Sequence, residues 1–333
     1  MTQRNASPKR GTEQETGMSY QWYPGHMTKT LRQIEEQLRL IDLVVEVVDA
    51  RIPASSRNPE VDRIAKNKVR MILLGKADLA DEEETARWIR WYRSRGWHPY
   101  PCDLRKASSV RSLGGAMTAA CHEKAERDRK KGMKPRPIRA MVMGIPNAGK
   151  STLINSLSGS SSLRTGNRPG VTKGRQWISV GRSIQLMDTP GLLWPKFEDE
   201  TAGRHIAFIG SMPDTILDTT ELACELLAEL TGAEPRRNLL TERYGIDTAP
   251  YLTGGPGGHP DTAGLLTAIG ERRGALRRGG AVDLEKASSI LLDDFRSGRI
   301  GRITLEAAPD TEKSDDTGPD AEAGGEPEKE GEE

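Results

Sequence analysis

Apolar positions along the chain switch between helical and strand spacing. Residues 28–40 carry Leu31, Ile34, Leu38 and Leu40 at near-helical intervals, which predicts an amphipathic helix. Ile41 to Val48 follows as a short run dense in Val and Ile. Its length and β-branching predict a buried strand. Val69 to Leu74 is a second such run, and Asn58 to Lys66 between them reads as a helix. Residues 82–95 intersperse charges with Trp88, Ile89 and Trp91, again as a helix, and a weaker strand is expected over Trp97 to Pro101. Ile138 to Met143 opens another strand, and Gln176 to Val180 with Ser183 to Met187 form a further pair. This β-α-β-α order predicts an α/β fold with a mostly parallel sheet and helices on both faces. Beyond Thr201 the pattern turns helical, with amphipathic helices over Glu221 to Leu230, Leu265 to Leu276 and Leu284 to Phe295. The expected divisions are a disordered arm at 1–17, an α/β domain at 18–200, an all-α domain at 201–306 and a disordered tail at 307–333.

Charge sharpens that division. The 333 residues carry 49 Lys and Arg against 48 Asp and Glu, a net of +1. Eleven acidic residues and only two lysines lie between Asp310 and Glu333, so the preceding 309 residues are ten positive. A basic body makes a polyanionic partner plausible. His122 to Arg139 concentrates the charge, with eight basic and three acidic residues. It reads as a solvated helix end and linker, or as a nucleic-acid contact. No run approaches the roughly 20 apolar residues of a membrane helix, so no membrane partner is expected. Met1 to Gly17 is polar and unlike a secretory signal. Cys102, Cys121 and Cys224 lack metal-type spacing, which points to a reducing cytoplasm. No coiled-coil pattern appears, and a monomer is expected.

Gly144-Ile145-Pro146-Asn147-Ala148-Gly149-Lys150-Ser151 matches G-x-x-x-x-G-K-[ST] at every fixed position. A predicted strand precedes it and a helical run, Ser151 to Leu157, follows. Backbone N–H groups of such a loop converge on phosphate oxygens. Asn147, Ala148, Gly149 and Thr152 are therefore expected beside the phosphates, at a helix N-terminus that favours anions. Lys150 supplies a point charge to the β- and γ-phosphates. The Ser151 hydroxyl is a ligand for Mg²⁺.

Asp188-Thr189-Pro190-Gly191 lies 37 residues beyond Ser151 and follows a predicted strand. An aspartate there holds Mg²⁺ through water, and the Gly191 amide meets the γ-phosphate. Between the two motifs, Thr172 in the loop Arg164 to Lys173 is placed to complete the Mg²⁺ shell. The combination signals a nucleoside triphosphate hydrolase. No N-K-x-D element follows the phosphate loop, but Gly75-Lys76-Ala77-Asp78 ends a predicted strand upstream. Lys76 and Asp78 are the residue types that read guanine, in an order permuted relative to the phosphate loop. Permutation leaves a sheet unchanged when the termini move along the surface.

These motifs, in this order, resemble the circularly permuted GTPases, and among them the ribosome biogenesis GTPase A family. The resemblance runs over roughly residues 19–306. It includes Pro24-Gly25-His26-Met27, Val48-Asp49-Ala50-Arg51-Ile52-Pro53, Ser55-Ser56-Arg57-Asn58-Pro59, and the Asp188 to Pro195 segment. Arg243-Tyr244 and Asp294-Phe295-Arg296 with Gly298 look like the family's C-terminal helical domain. The resemblance implies GTP hydrolysis with Mg²⁺, a role in late assembly of the large ribosomal subunit, and stimulation by the ribosomal particle. It implies rRNA, the large subunit, GTP and GDP as partners. Asn147 matches the residue that helps hold K⁺ in potassium-activated relatives. Leu192 stands where Ras-like proteins place a water-orienting glutamine, and the family points instead to His26. Cys102 and Asp103, after Tyr100, are expected to close over the base.

One position departs from the family pattern. Gly75 replaces the usual asparagine, so guanine preference would rest on Asp78, at a loss of about 1–3 kcal/mol. The absent glutamine and Gly75 leave open an RNA scaffold that binds nucleotide but barely turns it over. An adenine-nucleotide enzyme is a third reading.

Overall fold

A computed structural model describes residues 27–158, 177–191 and 199–310. Six strands form one sheet in the order β3-β2-β1-β4-β6-β5. The strands are β1 (Leu43–Asp49), β2 (Val69–Gly75), β3 (His98–Cys102), β4 (Ile138–Met143), β5 (Trp177–Val180) and β6 (Ile184–Asp188). All neighbours are parallel except β5, which pairs antiparallel with β6. From β1 the chain winds outward to β2 and β3; from β4 it winds the other way. The reversal lies between β1 and β4, and α/β sheets bind ligands at the carboxyl ends of strands at such a point.

The two faces of β1 bury different helices. Leu43, Val45 and Val47 pack with α4 (Ala107–Ala120) and α6 (Lys150–Ser158). Val44 meets α1 (Met27–Leu38) and α2 (Pro59–Ile64), and Val48 meets Trp88 and Tyr92 of α3 (Glu82–Ser94). Period-two alternation with both faces apolar is what a sheet covered on both sides requires. The α4 helix was not predicted. Its buried positions, Val110, Leu113, Met117 and Ala120, have helical spacing, but Ser, Gly and Ala between them dilute the pattern. The basic stretch after it forms α5 (His122–Lys130), which buries none of its side chains.

The C-terminal part contains α7 (Glu200–Phe208), α8 (Thr219–Thr231), α9 (Glu234–Tyr244), α10 (Thr262–Arg272) and α11 (Leu284–Arg296). The predicted helix over Leu265 to Leu276 ends early, because Gly274 takes φ +66° and Leu276 turns to bridge Val282. Two distant motifs meet in this bundle. The buried Asp294 carboxylate accepts from Arg243 at 2.8 Å, from the Tyr244 hydroxyl at 3.1 Å and from Arg299 at 2.5 Å.

After α11 the chain returns to the α/β domain. Ile303 N–H donates to Leu79 O at 3.0 Å and Leu305 N–H to Arg51 O at 2.8 Å. Trp88 Nε1 donates to Glu306 O at 3.0 Å, and Ala308 N–H to Glu84 at 2.5 Å. Ala308, expected in the tail, thus packs against α3.

Candidate nucleotide site

The carboxyl ends of β2, β1, β4 and β6 bring the separate motifs to one edge. Gly75 pairs with Asp49 at the ends of β2 and β1, and Val142 of β4 pairs with Asp188 of β6. The phosphate loop leaves β4 at Gly144, which has φ +148° and lies so close to β1 that a Cβ would sit 2.4 Å from Val47 O. Any side chain there would displace the loop from the sheet. Gly191 faces the loop as well, since a Cβ on it would lie 3.0 Å from Pro146. Ala148 is buried beneath the loop, Gly149 has φ +105°, and Thr152 is exposed on the first turn of α6.

Lys150 is almost wholly buried, and its Nζ donates to Ile145 O at 2.7 Å. Burial lowers its pKa to about 8, with the Asp188 charge opposing the shift. Ser151 lies in the first turn of α6 and Asp188 ends β6, giving a hydroxyl and a carboxylate as oxygen donors. Among the described residues no cluster of three or more His, Cys, Asp or Glu could hold a metal by itself. That donor set fits Mg²⁺, which binds through one or two protein oxygens together with substrate phosphates and water. The Thr189 hydroxyl donates to Val142 O at 2.7 Å and fixes the turn after Asp188.

The upstream element is also arranged around charge. Lys76, at φ +55°, donates to Asp49 Oδ2 at 2.9 Å. Burial alone would raise the Asp49 pKa, but Arg51 and Lys76 hold it well below the ordinary carboxylate range. Asp78 is paired with Arg105, whose backbone N–H donates to Asp103 at 3.0 Å. Asp103 therefore organises the loop after β3. Cys102 departs from expectation. Its thiol is buried in the core, and burial with the Asp103 charge pushes its pKa up to about 11. Only its backbone remains for a base. Gly75 lies against the phosphate loop, where a Cβ would be 3.3 Å from Ala148 O and 3.4 Å from Val48 O.

Asn147, expected near K⁺, has φ +57° and donates its side-chain amide to Gly210 O at 2.7 Å. Its Oδ1 is the atom left for a cation. Ser211 donates to Pro146 O at 2.7 Å beside it, so the phosphate loop is bonded to the segment after α7. His26, Thr172 and Leu192 lie outside the described residues.

A sequence model described as "50S ribosome-binding GTPase" matches residues 139–236, which span the phosphate loop and Asp188. Ribosome biogenesis GTPase A of Priestia megaterium is 44% identical over 297 residues, covering 89% of this chain and 99% of that protein. The chain belongs to the ribosome biogenesis GTPase A family. It is a GTPase. The family's Thermotoga maritima member is 31% identical over 292 residues, covering 87% of this chain and 95% of that protein. The GNP-bound crystal structure of YlqF from T. maritima superposes with a TM-score of 0.57 at 26% identity, covering 85% of this chain and 99% of that one. The GDP-bound YlqF structure gives 0.56 at 26% identity over 83% of this chain and 99% of that one.

Two clusters in this family member were not visible in the sequence. Arg51 grips Asp49 with two bonds of 2.8 Å, and its Nη1 donates to Phe295 O at 3.1 Å and Arg296 O at 3.2 Å. Arg51 belonged to a recognised motif, but its partner is 244 residues away. His205 had no motif to mark it. It is buried, with Nδ1 2.9 Å from Glu306 and 3.2 Å from Ser55 Oγ, and Nε2 2.9 Å from Glu229. Burial opposes its charge, but the two carboxylates prevail and raise its pKa to about 9.

Proposed function

We propose that this GTPase is a nucleotide switch in late assembly of the large ribosomal subunit, binding rRNA in the pre-ribosomal particle and hydrolysing GTP when the particle stimulates it. The supporting observation is the pair of bonds from the phosphate loop to the segment after α7, Asn147 to Gly210 and Ser211 to Pro146. A switch needs an element whose position both sites bias. These bonds link the γ-phosphate region to the helices that would face RNA.

In this reading Asp78 accepts from the ring N–H groups of guanine, exchanging Arg105 for the base, and Asp103 holds the neighbouring loop. Lys76 stays against Asp49 and packs beside the base. Backbone N–H groups from Asn147 to Thr152 surround the phosphates, and Lys150 moves from Ile145 O to the β- and γ-oxygens. Ser151, Asp188 and Thr172 would hold Mg²⁺, which neutralises charge on those oxygens. The Gly191 amide donates to the γ-phosphate. Asn147 Oδ1 would face K⁺. The attacking water is oriented by His26, ordered by the particle. Water replaces the β–γ bridging oxygen at the γ-phosphorus, yielding GDP and phosphate. The protein is proposed to act as a monomer in the cytoplasm.

GTP turnover with and without large ribosomal subunits, with ATP as parallel substrate, tests the proposal. Strong stimulation confined to GTP is expected, and His26→Ala should abolish the stimulated part while leaving GTP binding unchanged. Equal use of ATP, or no effect of subunits, would overturn the switch reading. Full stimulated turnover in His26→Ala would remove His26 from it.

A further inference from the structure

A cleft of about 570 Å³ opens on the sheet edge opposite the nucleotide site. Its walls are the residues entering β1, β2 and β3 and the junction of α4 with α5. The strands β1 and β2 are seven residues long, so roughly 20 Å of sheet separates the two edges. Six Lys or Arg side chains line the cleft against two carboxylates, Asp42 and Glu123.

Most of the charge is uncompensated. Asp42 already accepts from Arg136 at 2.7 and 2.8 Å and pairs with Lys124 at 2.9 Å. Arg70 is committed to Glu46 and Asp62. Among the described residues Lys66, Arg95 and Arg127 have no ion-pair partner, and all three are exposed. Lys68 donates to Ile41 O at 2.9 Å. Burial lowers its pKa, Asp42 opposes that, and the Lys124 charge adds to it. The lysines therefore crowd one another.

The surroundings extend the same chemistry. The α5 helix buries no side chain of its own. A helix polar on every side gains little from packing. It carries basic residues from the cleft toward Lys130, Lys131 and Lys134. The aromatic in the lining, Trp97, has Arg57 and Arg70 over its ring at 4.3 and 4.8 Å. Ile41 and Ala120 are buried. The cleft thus lacks the exposed apolar anchor that the core of a protein interface uses. A phosphodiester backbone needs only fixed cations.

We propose that this cleft binds an RNA phosphodiester backbone, as a contact surface on the α/β domain separate from the C-terminal helices. The ribosomal origin of that RNA rests on the proposed function above; the phosphate chemistry does not. Lys66, Arg95 and Arg127 take the phosphates, and α5 continues the track. The nucleotide edge stays open, so RNA and GTP are held together on opposite ends of one sheet.

The test uses the full chain and a triple variant, Lys66→Ala with Arg95→Ala and Arg127→Ala. The probes are a 20-base-pair RNA duplex, purified large ribosomal subunits and GDP, titrated from 50 to 300 mM KCl. The variant should bind the duplex on the order of 10- to 100-fold more weakly, with a log–log salt slope shallower by nearly 3, since each of the three phosphate contacts contributes a little under one unit. GDP affinity should not change, which checks the fold. Unchanged duplex affinity and slope would overturn the cleft while leaving the ribosomal switch standing. Loss of subunit binding with duplex binding intact would also overturn it, in favour of an acidic protein partner. A wild-type chain that binds the duplex through these residues but not the subunit would uphold the cleft and refute the ribosomal reading.

Discussion

Asp49 and Lys76 form an ion pair of 2.9 Å in which the carboxylate is fully buried and the lysine follows the end of β2. The same carboxylate holds Arg51, and Arg51 caps the end of α11 through Phe295 and Arg296. Arg296 in turn donates to Phe208 O and Ala207 O, each at 3.0 Å. One buried charge therefore connects the end of β2 to the C-terminal helices. Gly298, at φ +75°, brings the end of α11 against Leu79; a Cβ there would lie 2.6 Å from Leu79 Cδ2.

Replacing Arg51 with Met should expose that dependence. Removing one partner of a buried ion pair costs about 3–5 kcal/mol. The pH sign follows from Asp49, whose folded pKa is held low. Its stabilisation is present above the ordinary value of 3.8 and fades as pH falls toward the folded pKa. Arg51→Met brings the folded pKa closer to that ordinary value. The variant should unfold at a lower urea midpoint at pH 7 and lose part of its advantage from pH. A wild-type midpoint at pH 7 would show that Asp49 is satisfied without Arg51.

Gly75 makes a separate prediction. The space beside it is bounded by Ala148 O and Val48 O at 3.3 and 3.4 Å from an added Cβ. Those contacts require small shifts, but a side-chain amide would find carbonyl acceptors near the phosphate loop. Gly75→Asn should raise GDP affinity about fivefold, the worth of one net hydrogen bond near 1 kcal/mol. Gly75→Ala adds the crowding without the amide and should leave affinity equal or lower. Calorimetric titration of both variants measures this. Equal affinities for Asn and Ala would mean that no bond forms.

Lys150 predicts proton uptake on nucleotide binding. Its pKa of about 8 lies below the ordinary 10.5 because burial disfavours the ammonium. A bound triphosphate favours the charged form and raises the value again. Binding GTP at pH 8 should take up about half a proton, falling toward zero near pH 6.5. Calorimetry in buffers of different ionisation enthalpy reads this directly. No buffer dependence at pH 8 would show that Lys150 is already fully protonated.

Much of this arrangement is legible in the sequence. Runs such as Ile41 to Val48 and Val69 to Leu74 mark buried parallel strands, because covered sheets need apolar side chains on both faces. The spacing of Gly144, Gly149 and Lys150, between a strand run and a helical run, marks the tight connection from β4 to α6. What stayed hidden has a common physical origin. The α4 helix packs with Val110, Leu113 and Met117, but Ser, Gly and Ala between them dilute its amphipathic stripe. Cys102 is expected beside the base only through the resemblance, whereas its place at the end of β3 turns the thiol into the core. Arg51 and His205 act through partners that only the folded chain supplies, and no local periodicity encodes a contact across 244 residues.

His205 gives the prediction with the widest pH range. Its ring links α7 to Glu229 on α8 and to Glu306 on the segment that returns after α11, and Glu306 also accepts from Ala54 N–H at 2.6 Å and Ser55 N–H at 3.0 Å. The folded pKa is about 9 against an ordinary 6.5. A raised value means that the folded chain holds its proton more tightly than the unfolded one. The stabilisation is complete below pH 6.5, declines through the window between, and is gone above about 9. The shift corresponds to something on the order of 3 kcal/mol at low pH. His205→Gln keeps hydrogen-bonding capacity but cannot carry the charge. Wild type should therefore melt several degrees above His205→Gln at pH 6, with the gap closing by pH 9.5. A gap that does not change with pH would mean that His205 serves by packing beside Phe208, 6.1 Å away between ring centroids, rather than by charge.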